Sequence, residues 1–135
     1  MMFQKELDLF NAIKDKLIKD LKESGDNFSR YDCYSEEHNL DIELKCRRSH
    51  YDDLIIEKKK YDALILRSKK FGTDPVYINS TPLGVWSFRL RDLQEPEWSG
   101  RGLPKSTDFD STYMITKQVG YYSTKDGVEI THHFK

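Results

Sequence analysis

At 135 residues the chain has the length of one compact domain, and a single domain over 1–135 is expected. Charged residues make up 33% of it and the formal net charge is -1, which excludes the uniformly basic character of a dedicated nucleic-acid binder but not a local basic groove beside acidic groups. No apolar run approaches the roughly 18 residues of a membrane span, no secretory leader is legible, and the two cysteines, Cys33 and Cys46, fit neither a disulfide framework nor a zinc site; a cytoplasmic protein with reduced thiols and no membrane contact is expected.

Phe3, Leu7, Phe10, Ile13, Leu17 and Leu21 share one helical stripe, which predicts a first helix over 3–23 capped near Gly25. Residues 28–35 and 40–47 read as strands joined by the turn Glu36-Glu37-His38-Asn39. In the second strand Leu40, Ile42, Leu44 and Cys46 face one way, and Asp41, Glu43, Lys45 and Arg47 the other. Helical spacing returns over 51–68, with Tyr51, Leu54, Ile55, Tyr61 and Ile65 on one side. Residues 76–79 and 85–90 predict two more strands about the Thr81–Gly84 turn. The segment 95–110, rich in Pro, Gly and Ser, reads as loop, and a last strand is expected over 113–122.

A hairpin closed symmetrically about Glu37-His38 sets Ser35 against Leu40, Cys33 against Ile42 and Tyr31 against Leu44 on its buried face. On the other face Tyr34 opposes Asp41, Asp32 opposes Glu43 and Arg30 opposes Lys45. Opposed Cβ atoms lie about 4.5–5.5 Å apart, so two carboxylates would stand side by side, an arrangement that needs compensation. A divalent cation compensates: Mg²⁺ prefers oxygen and is held by one or two carboxylates. Lys45, two residues beyond Glu43, could position a water or stabilise charge at phosphorus. A solvated strand face would carry the same letters.

Glu6 falls within the apolar arc of the first helix, where an acid is costly unless paired or bound to metal. It is equally a first-turn acid favoured by the helix dipole. Lys58 falls within the arc of the second helix, where its head could contact a phosphate or neutralise the acids; a long stem with its head in solvent fits as well.

A helix with Glu6, a strand with Asp32, a turn, the strand Glu43-Leu44-Lys45 and a following helix with Lys58 together resemble the PD-(D/E)XK nuclease superfamily over about the first 90 residues. The resemblance implies an α+β fold of the restriction-endonuclease type: an α/β sandwich whose mixed sheet is flanked by helices, with an αβββαβ core. It implies Mg²⁺ or Mn²⁺ held by Glu6, Asp32 and Glu43, with Lys45 and Lys58 completing the catalytic set. Tyr31 stands where the motif has proline, and Asp41 competes with Asp32 for the aspartate role. The implied activity is hydrolysis of phosphodiester bonds in DNA, with structure specificity and action on RNA left open. Arg47, Arg48, Lys58 to Lys60, Arg67, Lys69 and Lys70 would meet phosphates. Arg101 is a further candidate for the nucleic-acid backbone, and Lys105, Ser106 and Thr107 for a phosphate. Small stand-alone domains of this kind suit a phage product and can pair as homodimers. The alternatives are a catalytically inactive nuclease fold that binds nucleic acid or protein, and an α+β interaction module whose charged strand is mere surface.

Overall fold

A computed structural model describes residues 3–24, 32–104 and 114–135. The first helix, α1 (Glu6–Lys16), carries Glu6 and Asp8 in its first turn and Lys14 and Lys16 in its last, matching the helix dipole at both ends. It is shorter than its apolar stripe predicts. At Leu17 the backbone leaves helical geometry, and the N–H groups of Leu17 and Ile18 both reach the Ile13 carbonyl. The Lys14 ammonium donates to the carbonyls of Lys19 (3.1 Å) and Leu21 (2.8 Å), holding the chain as it turns. Leu21 still enters the core, from an extended segment rather than from a helix.

Strands β1 (Lys22–Glu23), β2 (Asp32–Ser35) and β3 (Leu40–Cys46) follow, then β4 (Asp53–Glu57) and helix α2 (Lys58–Phe71). After them come β5 (Asp74–Thr81), β6 (Gly84–Arg89), β7 (Ser99–Pro104), β8 (Met114–Ser123) and β9 (Val128–Glu129). Six strands form one sheet in the order β1-β2-β3-β5-β6-β9, and β4-β8-β7 form a second. Among the described residues only the β3–β5 pair of the large sheet is parallel, and its crossover runs through β4 and α2, since parallel neighbours cannot be joined by a tight turn.

The helical reading of 51–68 is corrected by β4. Asp53–Glu57 carries the continuous apolar run Leu54-Ile55-Ile56, which a strand covered on both faces also presents. Within the expected loop 95–110, residues 99–104 form β7, an edge strand whose glycines and proline removed the sequence signal while its partner β8 supplies the pairing; residues 105–110 lie outside the described residues.

Two apolar clusters cover the two faces of the large sheet. Leu9 and Ile13 of α1 pack with Leu21, Cys33, Ile42, Leu44, Val76, Ile78, Val85 and Phe134. On the other face Leu54, Ile56, Tyr61, Leu64, Tyr77, Trp86, Phe88 and Tyr122 join α2 and the small sheet to it. No helix among the described residues is long and apolar enough to cross a membrane.

Candidate active site

The β2–β3 hairpin sets the register of the site. Its four-residue turn ends at Asn39, whose φ of 57° is a left-handed geometry that asparagine tolerates better than most residues. Asp32 then pairs with Glu43, Cys33 with Ile42, Tyr34 with Asp41 and Ser35 with Leu40, the register that symmetric closure predicts. The expected partners Arg30 and Tyr31 lie outside the described residues. The turn is braced by Asp20, whose carboxylate accepts from Ser35 Oγ (2.6 Å) and from the Glu37 N–H (2.9 Å). These bonds hold the Asp20 carboxyl below the usual aspartate range, the Ser35 bond foremost. Among the described residues, Asp20, Glu37 and His38 form the trio whose ligand atoms lie within 4.8 Å of one another. They are at the surface, and Asp20 is already engaged.

On the α2 side of the sheet the acids are buried. Asp32 and Asp41 are each 3% exposed and Glu43 is 7% exposed. The solvated strand face that would carry the same letters is not what forms, because α2 covers these acids. Ionised groups withdrawn from water need partners, and α2 provides two. Lys60 Nζ lies 3.9 Å from Glu43 Oε1. Arg67 Nη1 lies 3.1 Å from Asp32 Oδ2, and its Nε lies 2.8 Å from Asp41 Oδ1. Thr73 Oγ1 donates to the other Asp41 oxygen. The turn carrying Thr73 is itself tied to the hairpin, because Asn39 Nδ2 donates to the Gly72 carbonyl (2.9 Å) and the Asp74 N–H to the Asn39 carbonyl (2.9 Å). Asp32 Oδ1 is buried and, among the described residues, has no hydrogen-bond partner.

Lys45 stands two residues along from Glu43 on the same face, opposite Asn79 of β5. Burial pulls its pKa below the ordinary lysine value, and the carboxylates of Glu6 and Glu57 oppose that pull. Asn79 is fully buried; its Nδ2 donates to Tyr77 Oη (3.0 Å), which donates to the Ile55 carbonyl (2.7 Å), while Asn79 Oδ1 has no partner among the described residues. Glu57 is held by Lys117 at 2.9 Å.

Of the five residues named from the sequence, Asp32 and Glu43 are cross-strand neighbours and Lys45 shares their face. Glu6 begins a helix that packs on the opposite face, and its charge is felt at Lys45 and Cys46. Glu6, Asp32 and Glu43 do not close into a three-ligand cluster. Lys58 does not face the acids. It pairs with Asp62 at 2.6 Å and lies 5.9 Å from the centre of the Trp98 ring, because α2 begins at Lys58 and the arc drawn from Leu54 belonged to a strand. Lys60 is the α2 lysine nearest Glu43. Arg67, expected at phosphate, is committed to Asp32 and Asp41. Sequence reasoning missed it, although Lys60, Leu64 and Arg67 form one helical stripe once α2 is started at Lys58. Arg101 Nη1 donates to Tyr121 Oη (2.8 Å), and residues 105–107 lie outside the described residues.

No family model matches the chain, and no curated protein does. Among solved structures it is similar to Hjc of Archaeoglobus fulgidus, a Holliday junction resolvase from an archaeal hyperthermophile, with a TM-score of 0.57 and 15% identity over 94% of this chain and 89% of that one. At that identity the likeness is one of fold. The chain therefore has the restriction-endonuclease-like α+β fold, a mixed sheet with helices on its faces.

Proposed function

We propose that the chain, acting as one domain over 1–135, is a metal-dependent endonuclease that hydrolyses phosphodiester bonds in DNA, with branched DNA as the substrate to try first. The observation that carries this reading is the buried pair Asp32 and Glu43, in register, with Asp32 Oδ1 lacking a partner among the described residues. A buried carboxylate oxygen without a donor costs stability, and a hard divalent cation fits such an oxygen-only donor set. Asp32 and Glu43 would hold Mg²⁺ or Mn²⁺. Such an ion, when bound, supplies Lewis-acid stabilisation at phosphorus and lowers the pKa of water.

The chain's own residues supply the rest. Lys45, partly desolvated, holds an amine that gives up its proton more readily than an exposed lysine and can orient a water or take its proton. Glu6 is assigned to Lys45, whose charged form it favours. Asn79, fixed through Tyr77, offers Oδ1 beside Lys45 as an acceptor for that amine or for a water. Lys58, Lys59 and Lys60 open α2 with no acid in its first turn. Cations at that end oppose the helix dipole, and a docked phosphate backbone would relieve the conflict. The likeness to a Holliday junction resolvase supports the choice of substrate.

The test has two readouts. Calorimetric titration with Ca²⁺ reads ion binding, and cleavage of supercoiled plasmid and of four-way junctions with Mg²⁺ or Mn²⁺ reads chemistry. Glu43→Gln should lose both. Lys45→Ala should retain ion binding and lose roughly 10²–10³-fold in cleavage, as when one electrostatic stabiliser is removed. A folded wild type that binds no divalent ion ends the proposal. Binding without cleavage of any DNA favours the catalytically inactive alternative.

A further inference from the structure

Two aspartates compete for one role in this site, and their surroundings differ. Asp41 has both oxygens engaged, Oδ1 by Arg67 Nε and Oδ2 by Thr73 Oγ1. Asp32 has one oxygen engaged, Oδ2 by Arg67 Nη1 at 3.1 Å, and its Oδ1 is buried and, among the described residues, without a partner. One guanidinium thus spans both carboxylates, using two edges of its rigid fork. A lysine ammonium, a compact point charge, could not fix two acids in distinct orientations in this way.

We propose that Arg67 is a positioning residue that decides which aspartate serves the cation. It retires Asp41 into a closed Arg67–Asp41–Thr73 group, and it turns Asp32 so that one oxygen is bound and the other is left for metal beside Glu43. The proposal rests on the metal centre of the nuclease reading, but not on catalysis. It gives Arg67 a second consequence. Among the described residues, the ion pairs of the three buried carboxylates are those of Arg67 with Asp32 and Asp41 and of Lys60 with Glu43. Without Arg67 the acids would repel one another, and the freed Asp41 would become a rival ligand.

A double-mutant cycle read by calorimetric titration with Mn²⁺ and with Ca²⁺ tests this. Asp32→Asn in the wild-type background should weaken ion binding by roughly 10–100-fold or more, and Asp41→Asn by less than about tenfold, the former losing a ligand and the latter a supporting group. Arg67→Gln should keep ion binding. In that background Asp41→Asn should become more damaging by about tenfold than in the wild type, because Asp41 has been released to the ion. A purely structural arginine would lower stability without changing how strongly Asp41→Asn acts on the ion. Equal damage from Asp32→Asn and Asp41→Asn in the wild type overturns the proposal, as does an Asp41→Asn effect that ignores Arg67→Gln. Where Arg67→Gln does not fold, Thr73→Val frees one oxygen of Asp41 and takes its place in the cycle, with the same outcomes deciding. Ion binding without cleavage sinks the nuclease reading and leaves this cycle fully readable; a wild type that binds no ion sinks both.

Discussion

Lys45 is poised between burial, which disfavours its charge, and the carboxylates of Glu6 and Glu57, which favour it. Burial prevails, so its folded pKa lies below the ordinary value of 10.5. Between the folded and unfolded values the unfolded chain binds more protons, and stability therefore rises with pH across that interval. The penalty is full below the folded pKa and absent above the unfolded one. Glu6→Gln removes an opposing charge and should lower the Lys45 pKa further, widening the interval downward. An NMR titration of the Lys45 side chain in chelator checks this, and an unchanged or raised value would separate Glu6 from Lys45. At this scale the sequence was most legible where geometry is local: a four-residue turn fixes a register, and the register pairs Asp32 with Glu43. Arg67 was illegible as a partner of Asp32 because 35 positions separate them and only the α2–β3 packing brings them together.

The elements divide by whether their pattern admits one reading. The second strand of the hairpin alternates strictly, and residues 32–35 pair with 40–43 in the expected register. Over 51–68 a strand and a helix are fused, and apolar residues of the one fell by chance on the stripe of the other, which carried the error to Lys58. The first turn of α2 tests the assignment of its lysines. Lys59 is exposed, and Lys59→Glu should stabilise the free protein by about 0.3–1 kcal/mol through the helix dipole, seen as a higher Tm. The same change should weaken DNA binding and flatten its salt dependence by about one counterion. A gain in stability with no change in DNA binding would move the interface elsewhere. In the small sheet, a Cβ on Gly120 of β8 would press on Pro96 and come within 3.0 Å of Trp98 Cζ3. Gly120→Ala should therefore cost about 1–3 kcal/mol in urea denaturation, as overpacking does.

For the whole molecule, the central strands couple the two clusters. Val76 and Ile78 of β5 face α1, while Tyr77 between them faces α2, so neither cluster can come apart without disturbing the same backbone. Both tryptophans, Trp86 and Trp98, belong to the α2 side. Their fluorescence should nonetheless follow the far-ultraviolet circular dichroism of the entire chain through one denaturation curve. Two separated curves would mean two bodies rather than one. The large sheet also ends, on both sides, in strands of two residues: Lys22–Glu23 at one edge and Val128–Glu129 at the other, all four exposed. Edges so short and so charged offer little template for a strand from another molecule. The large sheet should consequently not extend from one molecule to the next, and any pairing of two copies through a continuous intermolecular sheet would have to use the longer edge strands of the small sheet, β4 and β7.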